Sequence, residues 1–164
     1  MKKLLTYTVS LALCGLLLLT TTVQASPDCY EVRGTVVAYL VAPAATCPVG
    51  TISGVSGDVF DASTNLIGTT TSCLVTLEQQ GNNGAFLGTL THTFIFTAGE
   101  LQGTTIHTQD NAVVSPVDPP LLYRINNRLD ITTGGSGFLR THGIVNFGTG
   151  EVTFRYNGRI CVGN

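Results

Sequence analysis

The chain has 164 residues, eight Lys and Arg against ten Asp and Glu, a formal net charge of −2 and no tryptophan. The length suits one ordinary domain rather than two. A near-neutral charge with no basic block argues against nucleic acid or anionic lipid as a partner, and beyond Ala25 no apolar stretch is long enough to span a bilayer.

Met1–Ala25 reads as a secretory signal peptide. Lys2 and Lys3 form a basic start, Leu11–Leu19 a short apolar core, and Val23-Gln24-Ala25 a small-residue cut site ahead of Ser26. Cys14 follows Leu13, where a lipid-anchor cysteine would follow a small residue, so it reads as an incidental residue of the signal. The expectation is a secreted or periplasmic domain over residues 26–164.

Tyr30–Val41 is a Val- and Tyr-rich strand, with Gly34 as a bulge or close contact. Ala42–Gly50 holds Pro43, Cys47 and Pro48 and reads as a loop. Thr51–Phe60 is a second strand, and Asp61-Ala62-Ser63-Thr64-Asn65 is turn chemistry, because short polar side chains bond back to their own backbone. Leu66–Glu78 is a third strand. Gly81-Asn82-Asn83-Gly84 marks a loop before Ala85–Thr97, where Phe86, Leu90, His92, Phe94 and Phe96 share one parity and Thr89, Thr91, Thr93, Ile95 and Thr97 the other. Leu101–Thr108 follows a turn. Gln109–Pro120, with Pro116, Pro119 and Pro120, is expected as a long loop at one mouth. Leu121–Ile131 is a sixth strand.

Gly134, Gly135 and Gly137 suggest a tight corner. After it, Phe138–Phe147 and Glu151–Val162 alternate around Gly148-Thr149-Gly150 and read as a hairpin. Val152, Phe154, Tyr156, Ile160 and Val162 share one parity of its second strand. No segment keeps a helical period. Eight antiparallel strands hide their edges by closing into a barrel, with a β-sandwich as the alternative fold. Such a barrel encloses a lumen that side chains fill or that holds one small ligand.

Four cysteines remain after the signal, Cys29, Cys47, Cys73 and Cys161, and an even count in an exported chain favours two disulfides with three possible pairings. Closure of a barrel suggests one of them: if the first and last strands pair antiparallel, Cys29 meets Cys161, Glu31 falls opposite Arg159, and Cys47 is left with Cys73. The spacings do not form a zinc site. There is no HExxH, P-loop or GxSxG, and Gly135-Ser136-Gly137 does not continue into a dinucleotide fingerprint. His92, His107 and His142 lie far apart, and no metal or cofactor is expected.

GGSGF (Gly134–Phe138) followed by TFRYNG (Thr153–Gly158), TFIFTAGELQGTTI (Thr93–Ile106) and SGDVFDASTNLIGTTTSCLV (Ser56–Val75) resemble the allene oxide cyclase and dirigent β-barrels. The likeness covers most of residues 26–164 as short, loosely spaced motifs. Tyr30-Glu31-Val32 resembles the Tyr-Glu-Ile of plant allene oxide cyclases, whose Glu acts from inside the barrel on an epoxide. The resemblance thus implies Glu31 as a catalytic group. Arg33 stands where those enzymes carry Asn, which would pair the carboxylate and fill lumen space. Cys73 resembles a lumen cysteine of that family, a role a disulfide would remove. For dirigent proteins no motif carries over residue by residue, and Asp58, Asp61, Tyr123 and Asp130 are only of suitable type.

Two facings remain open. With the Val152/Phe154/Tyr156 face inward, the lumen is apolar and filled, and function moves to loops or the outer surface. With the Glu31/Arg155/Arg159 face inward, the lumen is polar, and the apolar exterior calls for a homo-oligomer, as in the trimeric cyclases. In that second case Arg33, Arg155 and Arg159 would hold an anionic or hydroxylated ligand. The bland reading of these residues is a cross-strand charge cluster. The functional expectation is a lumen that binds a small hydrophobic or phenolic molecule, with isomerase, cyclase or stereo-directing activity; the alternative is a non-catalytic ligand- or partner-binding envelope protein.

Overall fold

The structure, a computed structural model, describes residues 26–163; the signal-peptide reading, Cys14 included, falls outside them. Eight strands follow one another: β1 (Asp28–Val41), β2 (Ser53–Asp61), β3 (Leu66–Gln80), β4 (Ala85–Phe96), β5 (Thr105–Asp118), β6 (Leu122–Thr133), β7 (Ser136–Asn146) and β8 (Glu151–Val162). Each pairs antiparallel with the next, and β8 pairs back onto β1. The result is the closed eight-stranded barrel, not the sandwich, and no strand edge is left free.

Period-two alternation decides which side chains enter the barrel. Val36 and Ala38 on β1, Phe94 and Phe96 on β4, Leu129 on β6, Leu139 and Val145 on β7, and Val152, Tyr156 and Ile160 on β8 form one buried cluster. Their neighbours of opposite parity face outward. Five inward positions are glycines (Gly34, Gly57, Gly68, Gly143 and Gly158), where a Cβ would meet the next strand at 1.9–2.3 Å. Tight coiling of a small barrel needs such gaps. The glycine corner is also present, with φ of 80° at Gly134 and 116° at Gly137.

The two poles differ. At the pole holding the start of β1, the end of β8 and the turn at residues 97–104, Leu101, Phe96, Ile106, Leu139 and Ile160 fill the interior. At the other pole the strands end around a depression. The long connection at residues 42–52 belongs to that open pole and is tied to β3 by the Cys47–Cys73 disulfide. Cys29–Cys161 bridges the β1–β8 seam, with Glu31 opposite Arg159 in the same register. Both pairings agree with the expectation from closure.

One segment departs from the sequence reading. Gln109–Pro120 is not a mouth loop, because β5 runs through to Asp118. Ile106, Thr108, Asp110, Ala112 and Val114 are all buried, while their odd-numbered neighbours through Val113 are exposed. The prolines misled: Pro116 lies beside a register shift at the strand's end, and Pro119 and Pro120 lie beyond it. The polar run Gln109-Asp110-Asn111 hid the alternation, because its inward member is a carboxylate.

Candidate functional site

Midway along the barrel, the inward parity of five strands turns polar. Ser72 on β3 lies opposite His92 on β4, and His92 opposite Thr108 on β5. Asp110 follows on β5, and Asn127 on β6 lies opposite Thr141 on β7. Between them these six side chains form a belt at the waist of the lumen. The Asp110 side chain is fully buried and that of His92 is 6% exposed.

A buried carboxylate demands partners. Asn127 Nδ2 donates to Asp110 Oδ2, and Thr141 Oγ1 donates to Asn127 Oδ1. Asp110 Oδ1 lies 3.1 Å from His92 Nε2. That pair is at charge-contact distance but out of line with the ring N–H, so neither atom completes a hydrogen bond, and Thr108 Oγ1 also lacks one. His92 Nε2 and Asp110 Oδ1 thus have only each other as a charge contact, and Thr108 Oγ1 has no partner, which is unusual in an interior that pairs nearly all such groups.

Above the belt, toward the open pole, the lumen is a pocket of about 80 Å³. Its floor is His92, Asn127, Thr141 and Ser72, and its walls are aliphatic and aromatic, among them Leu90, Ala112, Val152 and Phe154. Phe147 at the rim packs edge-on to Tyr123 at 5.4 Å, and Tyr123 lies 6.1 Å from Phe86. An apolar funnel ending in a few convergent polar groups is the usual form of a small-molecule site.

The residues named from the cyclase resemblance lie elsewhere. Tyr30, Val32, Gly34, Val36 and Ala38 take the inward parity of β1, so Glu31 and Arg33 point outward. Arg155 and Arg159 do the same on β8. The Glu31 side chain is 81% exposed and stands 4.0 Å from Arg159 Nε. The expectation of a lumen lined by these groups is therefore corrected. Burying the apolar face of β8 is favourable, whereas enclosing three guanidiniums with one carboxylate would leave charge uncompensated. The geometry is that of the cross-strand charge cluster. With the apolar face inside, the reason for expecting a homo-oligomer also lapses. The lumen is filled only in its closed half.

Cys73 is in a disulfide and on the outward parity. His107 and His142 stand on the outer wall, hydrogen-bonded to Thr93 and Asn126 respectively. His92 is the histidine that enters the lumen. Below the belt Tyr156 donates to the Phe60 carbonyl at 3.0 Å, and burial, with the nearby Asp61 charge, pushes its hydroxyl up to about 12. Asp61 lies outside the lumen, its carboxyl held below the usual range by the Asn65 side chain and by backbone N–H groups of Asn65 and Ser63.

Asp110 escaped sequence reasoning because its segment was taken for a loop. Its signal was a polar residue on an inward parity, the same signal that His92 gives among Phe86, Leu90, Phe94 and Phe96.

No protein-family model matches the chain, and no curated protein does. Among solved structures, the chain is similar to the Diels Alderase AbmU from Streptomyces koyangensis, at 13% identity with a TM-score of 0.46 over 84% of this chain and 70% of that one. At that distance no residue is transferred from one to the other.

Proposed function

We propose that the protein is exported and binds a small hydrophobic or phenolic molecule in the open half of its lumen. The apolar part of the ligand lies against Leu90, Val152 and Phe154, and its polar group reaches the belt. The observation that carries this reading is an apolar pocket with a polar floor of His92, Asn127, Thr141 and Ser72, backed by the buried Asp110 carboxylate 3.1 Å from His92 Nε2. The pocket is smaller than an apolar cavity of about 150 Å³ that accepts benzene, so a single-ring ligand fills it and projects through the rim. Export is supported by the sequence of Met1–Ala25 and by the two disulfides, which suit an oxidising compartment.

His92 and Asp110 also supply the parts of an acid–base pair. In this reading Asp110 faces Nε2 and steadies the imidazolium, while Nδ1 takes a proton from a ligand hydroxyl or activated carbon and returns it at a second position. That is an isomerase- or cyclase-type reaction needing no external oxidant. A non-catalytic carrier would use the same pocket without turnover, and the filled closed half favours it to that extent.

The test is thermal-shift screening with phenolics and fatty-acid epoxides. A ligand at about a hundred times its Kd should stabilise the wild type by about 2.7 kcal/mol. Glu31→Gln should keep that shift. Ala112→Leu, which fills the pocket, should lose it while still folding. A shift that survives Ala112→Leu sinks the lumen reading. Product formation that His92→Gln abolishes, with binding retained, separates enzyme from carrier.

A further inference from the structure

The described residues contain six arginines, and all of them lie on four adjacent strands: Arg33 on β1, Arg124 and Arg128 on β6, Arg140 on β7, and Arg155 and Arg159 on β8. All six are on the outward parity. The register places them in rows. Arg128, Arg140, Asn157 and Arg33 lie side by side across the four strands. The next row toward the open pole is Asn126, His142, Arg155 and Thr35, and the next toward the closed pole is Asp130, Phe138, Arg159 and Glu31.

The charges of the closed-pole row are already matched. Asp130 accepts from Arg128 Nε at 2.9 Å, and Glu31 faces Arg159. Arg33, Arg140 and Arg155 make no ion pair among the described residues. They surround Asn157 on three sides, Arg140 and Arg33 one strand spacing away on either hand and Arg155 two residues along the same strand. One strand spacing is about 4.8 Å and two residues about 6.7 Å, so side chains as long as arginine on these three positions can reach a common point over Asn157, although the Arg140 guanidinium rests over the Phe138 ring, 5.5 Å from its centroid. The three arginines, His142 and Asn157 line a single open groove of about 530 Å³. Asp61 also lines the groove; its carboxylate is held by Ser63 and Asn65, and its single negative charge is outnumbered there by the three arginines. Like charges gathered on one sheet face repel, and an oxyanion over Asn157 would relieve that repulsion.

We propose that this groove is a binding site for a compact tetrahedral oxyanion, the sulfate or phosphate group of a small molecule. Donors stand on three sides of Asn157, which suits a tetrahedral group better than a planar carboxylate held by one bidentate arginine. The footprint is small and the chain as a whole carries a charge of −2, so the wider field does not draw in a long polyanion. The site is separate from the lumen and stands without the reading given for it.

The experiment is NMR titration of the whole exported domain with phenyl phosphate, phenyl sulfate and inorganic phosphate at low ionic strength, with a short DNA duplex as the polyanion arm. Saturable shifts at Asn157 and Arg140 are expected with the three small oxyanions. Arg140→Gln and Arg155→Gln should each weaken binding about tenfold, and Arg124→Gln, on the same wall outside the groove, should leave it unchanged. Equal loss in all three variants, or duplex binding stronger than that of the phosphate ester, would show a diffuse basic wall and overturn the site. Absence of saturation with every small oxyanion would overturn it as well.

Discussion

Gly34 is a residue whose importance lies in what it lacks. A Cβ there would sit 1.9 Å from the Phe60 carbonyl oxygen and 2.6 Å from the Tyr156 hydroxyl. Gly34→Ala should therefore break the Tyr156–Phe60 hydrogen bond and cost about 2–4 kcal/mol in urea unfolding. Tyr156 carries a pH dependence of its own. Its hydroxyl titrates at about 12 rather than at 10.0, so the folded state holds this proton more tightly than the unfolded state. The associated stability is complete below pH 10.0 and is lost as pH rises from there to about 12, by at most about 3 kcal/mol. Tyr156→Phe should abolish that alkaline loss while costing about 1 kcal/mol at neutral pH for the missing hydrogen bond. Denaturation series across the alkaline range, in both proteins, check the two statements together. The close contact at Gly34 was legible in the sequence, since a lone glycine within a strand marks such a place. Its partner was not, because Tyr156 lies far along the chain and meets Gly34 only when the barrel closes.

Strands show where reading by pattern succeeds and where it fails. β8 was visible to its last residue because Val152, Phe154, Tyr156, Ile160 and Val162 keep one parity, with only Gly158 interrupting the apolar series. β5 was cut short because Asp110 occupies a core position, so hydrophobic alternation stopped there although geometric alternation did not. Facing was undecidable from β8 alone, since either parity could line a barrel; the structure settles it by putting the apolar side of every strand within. The same logic ranks the disulfides. Cys29 and Cys161 are 132 residues apart and Cys47 and Cys73 are 26 apart. By chain entropy, opening the first should cost about 5 kcal/mol and opening the second about 3.5 kcal/mol. Paired Cys→Ser variants compared by guanidinium unfolding give the order, and the seam variant should be the weaker protein.

At the scale of the whole molecule, the polar belt joins strands that are distant in sequence, and its members act as a unit. His92→Leu alone leaves the Asp110 carboxylate buried against fewer partners and should cost about 3–5 kcal/mol. His92→Leu combined with Asp110→Leu removes both groups and should cost clearly less than the sum of the single changes, as a double-mutant cycle would record. The individual polar side chains could be read along the chain, but their meeting could not, because it depends on the stagger between strands as the barrel closes. The poles carry a further consequence. β1 starts and β8 finishes at the sealed pole, so whatever the chain is fastened to, whether a fused partner or a solid support, would sit beneath the barrel. The entrance would then look away from the attachment, and a tethered copy should take up a ligand as readily as a free one.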